Sequence, residues 1–299
     1  MSGGVDILCI GSVLWDIIGR TDTDLRTRGD VAGRIITLPG GVAMNIAMTL
    51  ARFGMRPAIL SCVGHDAEGD ALLAAAQALG LNTGFVHRDR TLPTDRYMAI
   101  EDCTGLVAAI ADAHSLEAAG DAILAPLCDG RLGSADAPWS GPIAIDGNLT
   151  ADLLSWIAVA PQFARADLRL APASPGKAER LLPLMRHPGA TLYVNRQEAG
   201  WLCDTQFASS AEAARGLLLA GAARALVTDG AVDASDGARD QELLTQAAQP
   251  VQARRITGAG DTFMAAHLFA ESLGAPRPEA LARAQAAAAA YVAFDEGSS

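Results

Sequence analysis

Lysine is nearly missing from this chain: of 23 basic residues in 299, Lys177 is the single lysine and the rest are arginine. A Walker A loop is thereby excluded, since it needs Gly-Lys followed by Ser or Thr, and Lys177 is followed by Ala178. No strand lysine is left for a protein-kinase core either. Positive charge is also short, with Lys+Arg 23 against Asp+Glu 34 and a net charge of −11. Gripping a nucleic-acid polymer or an anionic membrane surface takes clustered cations, so neither is expected as a partner. A local basic pocket for a small anion stays compatible with that balance. The five cysteines (Cys9, Cys62, Cys103, Cys128, Cys203) form no CxxC pair and are odd in number, as suits buried thiols in a reducing compartment. The five histidines lack metal-ligand spacing, and the four tryptophans read as packing residues, except Trp15, which adjoins Asp16. No apolar run approaches the ~20 residues that cross a bilayer. The N-terminal Met1-Ser-Gly-Gly-Val-Asp6 has no basic stretch before its apolar run, so no signal peptide is expected and a cytoplasmic location is.

What is present is apolar material, 50% of the residues, enough for a large core. The length allows one large α/β domain or two small ones. Val5–Ile10 and Ala58–Val63 are short apolar runs closed by Gly11 and Gly64, and they read as buried strands. Val42–Phe53 and Gly69–Leu79 have helical periodicity and stop at Gly54 and Gly80. Further strands are expected at Ile143–Ile145, Leu168–Leu170, Thr191–Val194 and Ala225–Thr228, with helices between them. Such alternation implies a mostly parallel sheet covered on both faces, with ligands outside the carboxyl ends of its strands. Two segments break the pattern. Arg96–Ile100 and Leu106–Ile110 read as a hairpin, and Ile17–Leu38 is charged and lacks a helical period. Together (approximately 17–38 and 93–112) they are expected to form a small β lid on a single domain spanning 1–299. Asp233–Gln241 is polar and reads as a surface loop.

The sharpest chemical signal is Thr257-Gly-Ala-Gly-Asp-Thr-Phe263, running into the helical stretch Met264–Leu273. Small residues at a helix start let a phosphate approach backbone N–H groups, and the helix dipole favours the anion. Asp261 would then lie beside the phosphoryl group and could accept a proton from an attacking hydroxyl. Equally, Asp261 reads as an acidic residue stabilising a first helical turn. A second signal is Pro39-Gly-Gly-Val-Ala-Met-Asn45: Gly40 and Gly41 leave room at a helix start, and Asn45 can give and take hydrogen bonds with a sugar.

In combination these motifs resemble the ribokinase-like, PfkB-type carbohydrate and nucleoside kinases, over nearly the whole chain. Gly11-Ser-Val-Leu-Trp-Asp16 matches the family's strand, glycine and substrate-binding aspartate, and Gly40, Gly41 and Asn45 match its first signature. Val63-Gly-His-Asp-Ala-Glu-Gly69 matches its VGxDxxG, Asn195-Arg-Gln-Glu198 its NxxE, and Thr228 and Gly230 its VTxG segment. Thr257–Asp261 matches the second signature. The resemblance implies a three-layer α/β sandwich and transfer of a phosphoryl group from ATP to a sugar or nucleoside hydroxyl. It further implies Asp261 as catalytic base in a catalytic stretch with Gly258, Ala259 and Gly260, the N–H groups of Ala259, Gly260 and Asp261 forming the anion hole. Asn195, Thr228 and Gly230 would lie on the nucleotide side, and Glu198 would act on Mg²⁺ through water.

Within the family, three stretches look most like pseudouridine kinases: Asp146-Gly-Asn-Leu-Thr150, Pro172-Ala-Ser-Pro-Gly-Lys177 and Gly40–Ala47. By that likeness Asp16, Gly40, Gly41, Asn45, Asn148 and Lys177 are expected to bind the acceptor, although a lone lysine after Pro-Gly also reads as solvated. A ribokinase- or fructokinase-like enzyme is the alternative, and a sugar or nucleoside sensor without catalysis the alternative of another class. The lid's apolar face is expected to pair two copies as a homodimer. Departures from the family pattern are Tyr193-Val194 before Asn195, Asp233 for the last glycine of VTxGxxG, and Ala171 and Ala173 around Pro172. They bear on nucleotide and substrate binding and leave Asp261 untouched.

Overall fold

A computed structural model describes residues 4–25, 30–253 and 257–294; residues 26–29 of the expected lid segment 17–38 lie outside them. Fourteen strands follow in chain order: β1 (Ile7–Ile10), β2 (Leu14–Arg20), β3 (Arg34–Gly40), β4 (Pro57–Leu60), β5 (Cys62–Gly64), β6 (His87–Asp89) and β7 (Arg96–Asp102). Then come β8 (Gly105–Asp112), β9 (Pro142–Asp146), β10 (Asp167–Ala171), β11 (Ala190–Asn195), β12 (Arg224–Thr228), β13 (Asp233–Ala238) and β14 (Leu244–Ala247). The α-helices are α1 (Val42–Arg52), α2 (Ala67–Ala78), α3 (His114–Ala119), α4 (Ala125–Cys128), α5 (Ala151–Ile157), α6 (Leu182–Met185), α7 (Arg196–Leu202), α8 (Ser210–Leu219), α9 (Ala259–Ser272) and α10 (Arg277–Ala293).

Eight strands make the main sheet in the order β14-β13-β12-β11-β10-β9-β1-β4, parallel from β12 to β4 and antiparallel across β13 and β14. Side chains alternate along β1: Leu8 and Ile10 enter one core with residues of α5 to α8, while Ile7 and Cys9 enter the other with α1, α2, α9 and α10. Both faces are thus covered, and a strand dry on both sides needs the unbroken apolar run seen in its sequence. Each fully buried Leu or Ile contributes roughly 1.5–3 kcal/mol, so this three-layer α/β sandwich rests on its two cores.

A separate four-stranded sheet has the order β3-β2-β7-β8. Its pleat sorts side chains by register. Asp16 pairs with Tyr97, and Tyr97 with Ala111, on the face toward the main domain. The adjoining pairs Ile17–Met98–Ile110 and Gly19–Ile100, with Ile35 opposite Gly19, fall on the outer face. There Ile35 is 77% and Ile110 69% exposed, an unusual setting for isoleucine.

Two expectations fail. Asp233–Gln241 is not a surface loop: Asp233–Ala238 is β13, inside the main sheet, with Ser235 and Asp236 fully buried. Its polar side chains have partners. Asp236 accepts from Arg224 at 2.9 and 2.7 Å and from Arg277 at 3.0 Å, and Ser235 bonds Ser210 and Thr245. The run 58–63 is not one strand either. It breaks at Ser61, whose hydroxyl donates to the Gly11 carbonyl at 2.5 Å, and the chain then passes to a two-stranded sheet of β5 and β6.

On the α9 face of the main sheet, Glu271 of α9 joins Arg169 and Arg224 at 2.5 and 2.6 Å. Tyr193 bridges Arg169 and His267 at 2.9 Å each. Burial holds His267 down at about 4, so it stays neutral in this cluster. These contacts fasten α9 across β10, β11 and β12.

Candidate active site

The carboxyl ends of the parallel strands open into a cleft of about 770 Å³ roofed by the inner face of the small sheet. Asp16, Gly41, Asn45, Asn148 and Lys177 line one side of it. Asn195, Glu198, Thr228, Gly230, Gly258, Ala259, Gly260 and Asp261 line the other. Of the residues expected from sequence, Gly40 alone is missing from this lining. A Cβ on Gly40 would overlap the Asp16 carboxylate, so its small size makes room for Asp16.

At the centre stands the start of α9. Gly258 is its N-cap with φ 86°, a left-handed conformation that a side chain disfavours, and a Cβ there would also meet the Tyr291 hydroxyl. The first helical bond runs from Thr262 N–H to the Gly258 carbonyl. The N–H groups of Ala259, Gly260 and Asp261 therefore precede the helical ladder and suit an anion. Nothing lies within 4 Å of a Cβ placed on Gly260, so that approach is open.

Asp261, in the first turn, has its Oδ2 held by the Asn45 Nδ2–H at 2.9 Å. Burial pushes its carboxyl up to about 7; the Asn45 hydrogen bond opposes the shift, and the charges of Asp146, Asp16 and Glu198 add to it. Burial likewise raises Asp16 to about 6. A carboxylate poised near neutrality suits proton transfer. Asn45 thus touches Asp261 as well as the cleft, a contact between residues 216 positions apart that no local motif announces.

Asn195 and Glu198 form a capping box at the start of α7. The Asn195 side chain accepts from Glu198 N–H at 2.9 Å, and Glu198 Oε2 accepts from Asn195 N–H at 2.7 Å. Burial raises the Glu198 carboxyl. Among the described residues no group of three or more His, Cys, Asp or Glu is arranged to hold a metal ion. With one oxygen in the cap, Glu198 suits contact with a cation through water better than direct ligation. Lys177 is not free in solvent: its Nζ donates to Asn148 Oδ1 at 3.0 Å and reaches Glu117 at 3.5 Å, with Arg180 on the same Glu117 oxygen at 2.6 Å. Arg196 pairs with Asp229 at 2.9 Å beside Thr228, although its N–H is not aimed at the oxygen. Of the departures from the family pattern, Tyr193 lies in the buried Arg169–His267 cluster, and Asp233 accepts from Ser210 at 2.5 Å.

The sequence reading missed Tyr97, which lines the cleft beside Asp16 and could have been found from the alternation of its strand. It also assigned no role to Asp146, a fully buried carboxylate closing an apolar strand.

The family model for pfkB family carbohydrate kinases matches residues 5–295. The chain belongs to the pfkB family of carbohydrate kinases. Among curated relatives, it is 34% identical over 152 residues to the uncharacterized sugar kinase YeiI of Escherichia coli K12, covering 50% of this chain and 40% of that protein. Over 102 residues it is 33% identical to the pseudouridine kinase of the same organism, covering 33% and 32% of the two chains. The matched stretches thus span less than half of either relative. The fold is shared with Arabidopsis thaliana ribokinase complexed with ribose and ATP: TM-score 0.77, 19% identity, 97% of this chain and 93% of that one. Among the described residues of this pfkB chain, no helix is long and apolar enough to cross a membrane.

Proposed function

We propose that this chain transfers the γ-phosphoryl group of ATP to a ribosyl hydroxyl, with pseudouridine as its preferred acceptor and pseudouridine 5′-phosphate as product. The observation that carries the reading is the Asp261 carboxylate, held by Asn45 beside the open N–H groups of α9. In this reading Asp16, Asn45, Asn148 and Lys177 bind the acceptor, while Thr228, Gly230 and Asn195 face the nucleotide. Asp261 takes the hydroxyl proton as that oxygen bonds to phosphorus and the bond to the ADP oxygen breaks. The N–H groups of Ala259, Gly260 and Asp261 receive the phosphoryl oxygens. A magnesium ion, when bound, neutralises phosphate charge, and Asn195 and Glu198 would hold it through water.

The small sheet acts as a lid over the acceptor, keeping out water that would otherwise take the phosphoryl group. Its apolar outer face, with Ile35 and Ile110, would pair with a second copy. Preference for pseudouridine is supported by Asp146–Thr150, by Pro172–Lys177 and by the partial likeness to a pseudouridine kinase. The test is ADP release over pentoses, hexoses and nucleosides. Turnover of pseudouridine far above ribose, fructose and adenosine is expected. Ligand binding without ADP release from any acceptor would overturn the kinase reading.

A further inference from the structure

Asp146 ends β9 at 0% exposure, and the hydrogen bonds on its carboxylate come from three separated segments. Oδ2 accepts from Ser12 N–H at 2.8 Å and from Ala43 N–H at 3.1 Å, and Oδ1 accepts from Asn148 N–H at 2.8 Å. Among the described residues no cation shares these bonds; each donor is a backbone N–H that leads within four residues to an acceptor-side residue, and the Asn148 side chain adds a further hydrogen bond. Ser12 precedes Asp16, Ala43 precedes Asn45, and Asn148 lies in the cleft itself.

Two details fit a built contact. A Cβ on Gly11, where φ is +147°, would overlap the Asp146 carboxylate, so the glycine admits the side chain. The N-cap of α1 is Gly41, which has no side chain to cap the helix. Asp146 supplies that cap from 103 residues away, while Ser12 O accepts the next helical N–H, that of Met44, at 3.3 Å. A carboxylate is the side chain of this size that offers acceptors on both arms and no donor.

We propose that Asp146 is a positioning residue for the acceptor half of the cleft, its carboxylate fixing the β1–β2 turn, the start of α1 and the β9–α5 turn in one mutual geometry. The proposal rests on the kinase reading only where it speaks of substrate. Asp146→Asn keeps the volume but turns an amide donor toward at least one of these N–H groups. The three segments should then shift relative to one another, and small misplacements at a reacting centre are costly.

The test measures acceptor KM, kcat, nucleotide Kd and melting temperature for Asp146→Asn. It also follows amide hydrogen exchange of the whole chain in the absence of ligands. Acceptor KM is expected to rise about 10–100-fold while nucleotide Kd stays within about twofold, since the nucleotide side hangs on other strands. Exchange should accelerate together in segments 11–16, 42–46 and 147–150 and remain as in the wild type on α8, which packs against β12 and β13. Gly11→Ala, which crowds the same carboxylate from the other side, should reproduce both patterns. A uniform loss of stability with unchanged acceptor KM would reduce Asp146 to a fold residue and overturn the proposal, as would faster exchange in only one of the three segments. If the wild type turns over no acceptor, the kinase reading fails by itself, and the exchange pattern still decides the role of Asp146.

Discussion

In the proposed reaction Asp261 carries the proton transfer, and replacing it with Asn separates that duty from helix stabilisation. The amide is nearly isosteric and keeps the Asn45 neighbour, so the fold and nucleotide binding should survive. Turnover should drop about 10²–10⁴-fold, the range for losing general acid–base help. A folded Asn variant with near-normal kcat would leave Asp261 only a helix-stabilising charge. The pH profile gives an independent check. The base works deprotonated, so kcat/KM should fall as pH drops below about 7, with Asp16, raised to about 6, blending into one coupled titration. Stability has a definite sign. Between the ordinary carboxylate value of 3.8 and about 7, the folded chain binds this proton more tightly than the unfolded chain. The contribution of this carboxyl to stability is therefore fullest below 3.8 and is lost as pH rises through 7. The melting temperature of Asp261→Asn minus that of the wild type should widen over that interval.

At the scale of elements, α7 tests whether its first turn does more than cap. Capping boxes accept Glu or Gln at the third position, so Glu198→Gln should preserve the helix. Asn195→Ala should cost about 1 kcal/mol through loss of the cap. If Glu198 also acts on magnesium through water, the Mg²⁺ concentration for half-maximal rate should rise about tenfold in Glu198→Gln at unchanged melting temperature. An unchanged Mg²⁺ titration would confine Glu198 to the cap. Elements were legible where physics leaves one solution. β1 is dry on both faces and reads as a continuous apolar run, and β9, β11 and β12 read as nearly so, whereas β10 interrupts its run with Arg169, which is buried through Asp167, Tyr193 and Glu271. β13 was illegible because Asp236 and Ser235 are buried through partners on Arg224, Arg277 and Ser210, none near in sequence. The break at Ser61 escaped notice because the residues on both sides are equally apolar. In the cleft Gly40-Gly41 and Thr257–Asp261 stood out as small-residue helix starts and Asp16 through the resemblance to the family, but the Asn45–Asp261 bond and the Asp146 cap could not be read, since both join distant segments.

For the whole molecule the outer face of the small sheet sets the expectation. Ile35, Met98, Ile100 and Ile110 lie on one face by register, each at least 41% exposed. Exposed apolar patches of this kind mark association surfaces. Light scattering at micromolar concentration should give twice the chain mass, and Ile110→Asp should return the single-chain mass without lowering the melting temperature. A monomeric wild type would remove the dimer.

The strand order carries a consequence for synthesis. β1 lies between β4 and β9, so after β4 is made one edge of β1 waits for residues 142–146. At 5–20 residues per second on the ribosome, that wait lasts on the order of ten seconds. The nascent chain carries a half-paired apolar strand throughout that interval. When β9 arrives, Asp146 arrives with it, so pairing of the strand and closure of the turns it holds fall in the same moment of translation.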